Sequence, residues 1–262
     1  MVSFDKLQLI SGDRAILAGG SESGKSTLGA GSKDYAFRDS LVGQWVARYC
    51  NSTDRGKACI VDSKPRFRAA YNDAGLSDSK RYRDWDYGQQ IPGSTRVEPG
   101  DFQGLERAMK LSDIVIIQTD AVDQEAARVI ALVERFRRTS GGKHKRLVYF
   151  DELMDFYNQS GMPLRGTGNV AVRCARSGAE RSLTSLFAMQ RTKGVPVQLW
   201  ELITKLYLFR LDLEDDMKRI RESGVPLGLT APVDDHVFKY WNKKTDRRHW
   251  YGPYTLTMRA KV

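Results

Sequence analysis

A mostly parallel sheet covered by helices is expected of this chain, and three observations carry that expectation. Short apolar runs recur along it, among them Ile114-Val115-Ile116-Ile117 and Leu147-Val148-Tyr149-Phe150, each with the length of a buried strand. Between such runs lie stretches with apolar residues at helical spacing, such as Val129, Ile130, Val133 and Phe136. The first apolar run, Ala15-Ile16-Leu17-Ala18, leads directly into a glycine-rich turn that opens a helix. Strands alternating with helices place helices on both faces of a parallel sheet, giving three layers.

The elements follow in order. A first strand is expected over 13–18, with a helix starting at Lys25. Phe37, Leu41, Trp45 and Tyr49, widened by Val42 and Val46, predict a helix over 35–50. The run 57–62 is a strand ending in the charged Asp62, and the polar, turn-rich 73–94 is a loop. A strand over 113–118 precedes a helix over 122–138, which Thr139-Ser140-Gly141-Gly142 ends. A strand over 145–150 ends at Asp151-Glu152, 158–169 is a loop, and a helix runs over 170–176. Strands over 183–189 and 206–211 follow, the former ending at Gln190. The tail 237–258 has the pattern of a β-hairpin turning at 242–246. No linker or repeat interrupts the chain, so 1–262 is expected to be one domain, with about 233–262 as a hairpin extension at the sheet edge.

Composition bounds the function. With 262 residues, 41% hydrophobic and 28% charged, the chain suits a globular domain. No apolar run approaches the roughly 18 residues of a membrane span. Cys50, Cys59 and Cys174 have no metal spacing and read as small apolar residues of a reducing compartment. A net charge of +10 favours polyanionic partners, nucleic acid above all. The basic residues cluster: Lys64, Arg66, Arg68, Lys80, Arg81 and Arg83 form one group, and Arg135, Arg137, Arg138, Lys143, Lys145 and Arg146 another. A third, from Lys239 to Arg248, interleaves with Tyr240, Trp241, Trp250 and Tyr251; cross-strand packing and stacking on bases both remain open for these rings.

The turn Gly19-Gly20-Ser21-Glu22-Ser23-Gly24-Lys25-Ser26-Thr27 fits the phosphate-binding pattern G-x-x-x-x-G-K-[ST]. Such a loop aims backbone N–H groups and a helix N-terminus at one point, where anions bind. Lys25 then reaches the β- and γ-phosphates and the Ser26 hydroxyl holds Mg²⁺. Asp151, at the end of an apolar strand, is a second Mg²⁺ ligand, and Glu152 faces the other way and activates a water for attack on the γ-phosphate. A small-molecule kinase needs no such acid. Asp101-Phe102-Gln103-Gly104 matches the D-x-x-G of GTPases, but Asn242-Lys243-Lys244-Thr245 puts threonine where a guanine-reading aspartate belongs. Gln190, ending its own strand, is placed to sense the γ-phosphate.

Taken together, Gly19–Thr27, Leu147–Glu152 and Cys174–Leu211 resemble the FtsK–HerA superfamily of DNA-pumping ATPases, with Gln190-Arg191-Thr192 in place of the common Gln-Arg-Pro. Small members without a membrane anchor are similar to genome-packaging ATPases of tailless, membrane-containing viruses. The resemblance implies a RecA-like core, ATP as the nucleotide, and a ring homo-oligomer, six subunits being the expected number, around double-stranded DNA. It implies a place at the packaging vertex of a virion or in the host cytoplasm, with capsid-vertex proteins as further partners. It also implies an arginine acting in trans before the Gln190 strand; Arg181 is preferred, with Arg176 and Arg173 as alternatives. Arg165, Lys64, Arg66 and Arg68 are the expected DNA-phosphate contacts. Two rival readings are a secretion or phage-assembly ATPase and a non-translocating nucleotide-binding component of a capsid vertex.

Overall fold

The computed structural model describes residues 9–20, 23, 25, 37–51, 56–78, 90–141, 143–158, 160–223, 237–243 and 251–255. Its elements run β1 (Arg14–Ala18), α1 (Leu41–Cys50), β2 (Lys57–Asp62), β3 (Arg68–Tyr71), β4 (Gln90–Val97), α2 (Phe102–Leu111), β5 (Ile114–Gln118), α3 (Val122–Arg138) and β6 (Arg146–Phe150). They continue with α4 (Val170–Arg181), β7 (Thr184–Met189), α5 (Val197–Leu202), β8 (Lys205–Leu208), α6 (Glu214–Glu222), β9 (Val237–Asn242) and β10 (Tyr251–Thr255). The described strands form one ten-stranded sheet in the order β10-β9-β8-β1-β7-β6-β2-β5-β4-β3. From β8 to β3 every pairing is parallel, whereas β9 and β10 add an antiparallel hairpin at the β8 edge.

Side chains alternate between two cores, as the pleat requires. Ile16, Ala18, Cys59, Val61, Val148 and Phe150 face a layer built on α2, α3 and α4. Ala15, Leu17, Ala58, Ile60, Leu147 and Tyr149 face α1 and the hairpin residues Phe238 and Tyr240. Both faces are therefore apolar, which is why the strands read as continuous runs. The hairpin rings pack: Tyr240 and Phe238 lie 5.0 and 5.8 Å from the Tyr207 ring, and Trp241 is also buried. Cross-strand packing accounts for these three rings. Among the described residues no helix is long and apolar enough to cross a membrane.

Several boundaries differ from expectation. The helix expected over 35–50 starts only at Leu41, because Ser40 caps it: its hydroxyl accepts from Gly43 N–H and donates to the Phe37 carbonyl, closing a 3₁₀ turn over Phe37–Asp39. β4 begins inside the loop expected over 73–94 and runs past its end; Pro92 and Gly93, the latter at φ 66°, contradict a strand locally. α4 runs on to Arg181, past the Ser177-Gly178 pair. A Cβ on Gly178 would lie 2.9 Å from Arg14 Cδ of β1 and 3.0 Å from the backbone oxygens of Gly12 and Leu183, so its small size serves packing against β1 and the segments before β1 and β7. β3, α2, α5 and α6 have short or weakly apolar patterns that no periodicity announced. Asp101, from the D-x-x-G, is the N-cap of α2 and accepts from Gly104 N–H at 2.8 Å.

Candidate active site

Strand order assembles the site. β7 lies between β1 and β6, and all three are parallel. The glycine loop after β1, Gln190 after β7 and Asp151-Glu152 after β6 therefore open at one edge of the sheet, where ligands gather in parallel α/β folds. The loop starts in a confined passage. Gly19 N–H donates to the Met189 carbonyl at 3.2 Å and Gly20 N–H to the Arg210 carbonyl at 2.8 Å. A Cβ on Gly19 would sit 2.6 Å from Phe209 Cβ and 2.7 Å from Ser23 Oγ, and one on Gly20 2.7 Å from Asp212 Oδ2. Side chains are excluded there, so the backbone itself forms the wall. Ser21, Glu22, Gly24, Ser26 and Thr27 lie outside the described residues, and with Ser26 goes one of the two expected metal ligands.

Lys25 stands in helical backbone, buried, with Nζ 3.9 Å from Glu152 Oε2. Glu152 is 3% exposed, so its charge is almost wholly the protein's to manage. Its Oε1 accepts from Met154 N–H at 3.4 Å and Gln190 N–H at 3.3 Å. Its Oε2 is buried and has no hydrogen-bond partner among the described residues. Burial pushes the Glu152 carboxyl above the usual range; the nearby Lys25 ammonium opposes this and the Asp155 charge adds to it. An under-neutralised buried carboxylate beside a lysine is suited to take a proton. Gln190 is half-buried, and its described link to Glu152 is its backbone N–H.

Asp151 faces another direction. Its Oδ1 accepts from the Tyr149 hydroxyl at 2.9 Å, and its Oδ2 lies 3.4 Å from an Arg66 guanidinium nitrogen. Asp62, at the end of neighbouring β2, is fully buried; burial first and the Asp151 charge second push its carboxyl up to about 6. Asp155 accepts from the Ser63 hydroxyl at 2.6 Å and lies 3.6 Å from Lys64 Nζ. Four carboxylates thus meet three cations, Lys25, Lys64 and Arg66.

This placement revises part of the expected DNA surface. Arg66 is 8% exposed and turned inward to Asp151, so it is a member of the acidic site rather than an outer phosphate contact. Lys64 is half-buried at Asp155, whereas Arg68 and Arg165 are exposed. Arg176 and Arg181 are exposed on α4, and Arg173 is held by Glu134 at 2.6 Å. β7 spans six residues, so Arg181 and Gln190 stand at opposite ends of it, about 20 Å apart. Arg181 does not reach the site of its own chain.

Threonine in Gln190-Arg191-Thr192 has a physical reason. Thr192 and Lys193 N–H both donate to Asp216 Oδ1, at 2.7 and 2.9 Å, and the Thr192 hydroxyl donates to the Asp216 carbonyl. Arg191 Nε donates to Asp216 Oδ2 at 2.8 Å. Proline at 192 would remove two of these donors, the backbone N–H and the hydroxyl. Sequence assigns no site role to Asp62, Ser63, Tyr149, Asp155 or Asp216. Asp62 alone carried a signal, a charge ending an apolar strand; which strand lay beside it was not legible.

The residues present fit a phosphate ligand with Mg²⁺: a cradle closed to side chains, a buried lysine, and a carboxylate at a strand end. Among the described residues no cluster of three or more His, Cys, Asp or Glu side chains forms a self-sufficient metal cage. That suits Mg²⁺, which is commonly held by one or two carboxylates plus substrate phosphates.

No family model and no curated protein matches this sequence. Solved structures do share its fold. The genome-packaging NTPase B204 of Sulfolobus turreted icosahedral virus 2, in complex with AMPPCP, superposes with a TM-score of 0.54 at 9% identity, covering 90% of this chain and 94% of that chain. The same protein in complex with sulfate gives 0.53 at 11% identity, with the same coverage. At such identity the likeness establishes the α/β architecture and nothing finer.

Proposed function

We propose that this chain is an ATP-hydrolysing double-stranded DNA translocase, a viral genome-packaging ATPase of FtsK–HerA type that works as a ring homo-oligomer, with six subunits the expected number. The observation that carries the reading is the meeting of Lys25, Glu152 and the Gln190 turn at one strand edge. The fold shared with a genome-packaging NTPase and the net charge of +10 support it.

In this reading Lys25 neutralises charge on the β- and γ-phosphates, and the loop N–H groups hold them. Glu152 Oε2 takes the proton of the attacking water while its Oε1 stays fixed by two backbone N–H groups. Asp151 and Ser26 would hold Mg²⁺, which when bound supplies further neutralisation of phosphate charge. Gln190 N–H ties Glu152 to the β7 turn, and Asp216 ties that turn to α6, so loss of the γ-phosphate has a bonded route to an outer helix. Arg181, exposed and distant from its own site, suits a role toward a neighbouring subunit, and Arg165 and Arg68 suit contact with DNA phosphates.

The test is phosphate release by the assembled protein with and without duplex DNA, at low and high salt. Hydrolysis stimulated by DNA at low salt, with stimulation lost as salt rises, is expected. Hydrolysis indifferent to DNA would leave an NTPase and remove translocation; an absence of hydrolysis would remove both.

A further inference from the structure

The turn between β2 and β3 is built around one buried carboxylate. Asp62 Oδ2 accepts from Arg66 N–H at 2.8 Å, Phe67 N–H at 2.9 Å and Gln118 Nε2 at 2.8 Å. Gln118 Nε2 also donates to the Phe67 carbonyl at 2.5 Å. Asp62, Phe67 and Gln118 are fully buried, so these bonds hold the turn in one geometry without competition from water. Its product is the placement of Arg66, whose guanidinium is delivered to 3.4 Å from Asp151 Oδ2. The other oxygen of Asp151 is held separately, by the buried Tyr149 hydroxyl. Orientation of Asp151 therefore does not depend on Arg66. What Arg66 adds is a positive charge that cannot leave by titration.

We propose that Arg66 is a resident counter-ion that weakens the hold of Asp151 on Mg²⁺, so that the metal binds only together with the nucleotide's phosphates. The proposal rests on the reading of this site as one for Mg²⁺ and a nucleoside triphosphate. A fixed cation beside a carboxylate opposes a second cation there. Phosphate oxygens supply the missing negative charge, so metal and nucleotide arrive as one ligand. Arg66 is thus a positioning residue for the metal, acting through Asp151.

The test measures binding of a non-hydrolysable ATP analogue to the full chain as Mg²⁺ is varied, and binding of Mn²⁺ alone by electron paramagnetic resonance. Arg66→Gln is expected to lower the half-saturating Mg²⁺ concentration roughly tenfold, as removal of one close like charge does. It is also expected to let Mn²⁺ bind without nucleotide. Arg66→Lys, which keeps the charge, should stay within about twofold of wild type in half-saturating Mg²⁺. Arg66→Met is a second charge-free variant of similar length. An unchanged or raised Mg²⁺ requirement in the charge-free variants overturns the proposal while leaving nucleotide binding intact. If neither folds, the wild type decides: Mn²⁺ binding without nucleotide as tight as with it overturns the proposal, and binding only with nucleotide supports it. A wild-type chain that binds no analogue at any Mg²⁺ overturns the nucleotide reading itself.

Discussion

Glu134, near the end of α3, receives Arg137 Nη2 at 2.6 Å and Arg173 Nε at 2.6 Å. Glu152, at the end of β6, receives two longer backbone bonds and has a lysine 3.9 Å away. Burial raises the carboxyl pKa in both. In Glu134 the bonds from Arg173 and then Arg137 outweigh it, and the group lies below its ordinary value. In Glu152 burial prevails over Lys25. The two glutamates show what separates a carboxylate that holds the structure from one that can take a proton. The first is saturated with donors, and the second keeps a buried oxygen without a partner among the described residues. Asp216, with its bonds from Arg191, Thr192 and Lys193, belongs with Glu134.

Substitutions should separate the two classes. The largest effect is expected from Glu152→Gln, which should slow phosphate release by roughly 10²–10⁴-fold, the usual worth of a general base, with analogue binding retained. Turnover near wild type would place the base elsewhere. Next comes Asp216→Ala. It removes the buried carboxylate that accepts from two backbone N–H groups of the β7 turn, leaving them unpaired, and should cost roughly 3 kcal/mol in denaturant unfolding. A loss under about 0.5 kcal/mol, no more than a surface substitution, would show that the turn is held by other contacts. Glu134→Gln should lower stability by about 1 kcal/mol, since its partners are partly exposed. Glu152→Gln should leave the melting temperature unchanged or raise it, because it neutralises a charge that burial disfavours. If Glu152→Gln destabilises more than Glu134→Gln, the contrast between the two glutamates fails. The smallest effect concerns pH. The folded-state pKa of Glu134 is depressed from 4.5, so its contribution is present above that value and is lost as pH falls through the lower folded one. The melting-temperature gap between wild type and Glu134→Gln should therefore be full at pH 7 and close in acid.

Legibility followed the length and apolarity of each element. The helix over 122–138 agrees with α3 residue for residue, because its Val129-Ile130-Val133-Phe136 face and Thr139-Ser140 end are both local signals. The Asp151-Glu152 pair was legible because an apolar run ends there. β4 was not, since Pro92 and Gly93 contradict a strand locally and pairing with β5 overrides them. The inward placement of Arg66 was not legible for a related reason. In sequence it belongs to a basic cluster, and clusters usually face solvent; Asp62 turns it inward.

By itself the sequence determined the glycine loop, the strand-ending carboxylates and the alternation that yields a parallel sheet, because each is a matter of residue type within a short window. Tertiary structure alone decided that β7 separates β1 from β6, that β2 lies beside β6, and hence that Gln190 N–H meets Glu152 and Arg66 meets Asp151. Strand order is set by packing across the whole sheet, and no local pattern encodes it. The charge balance on Asp151 and Glu152 depends on neighbours remote in the chain, through burial and distances that exist only once the sheet has closed around them.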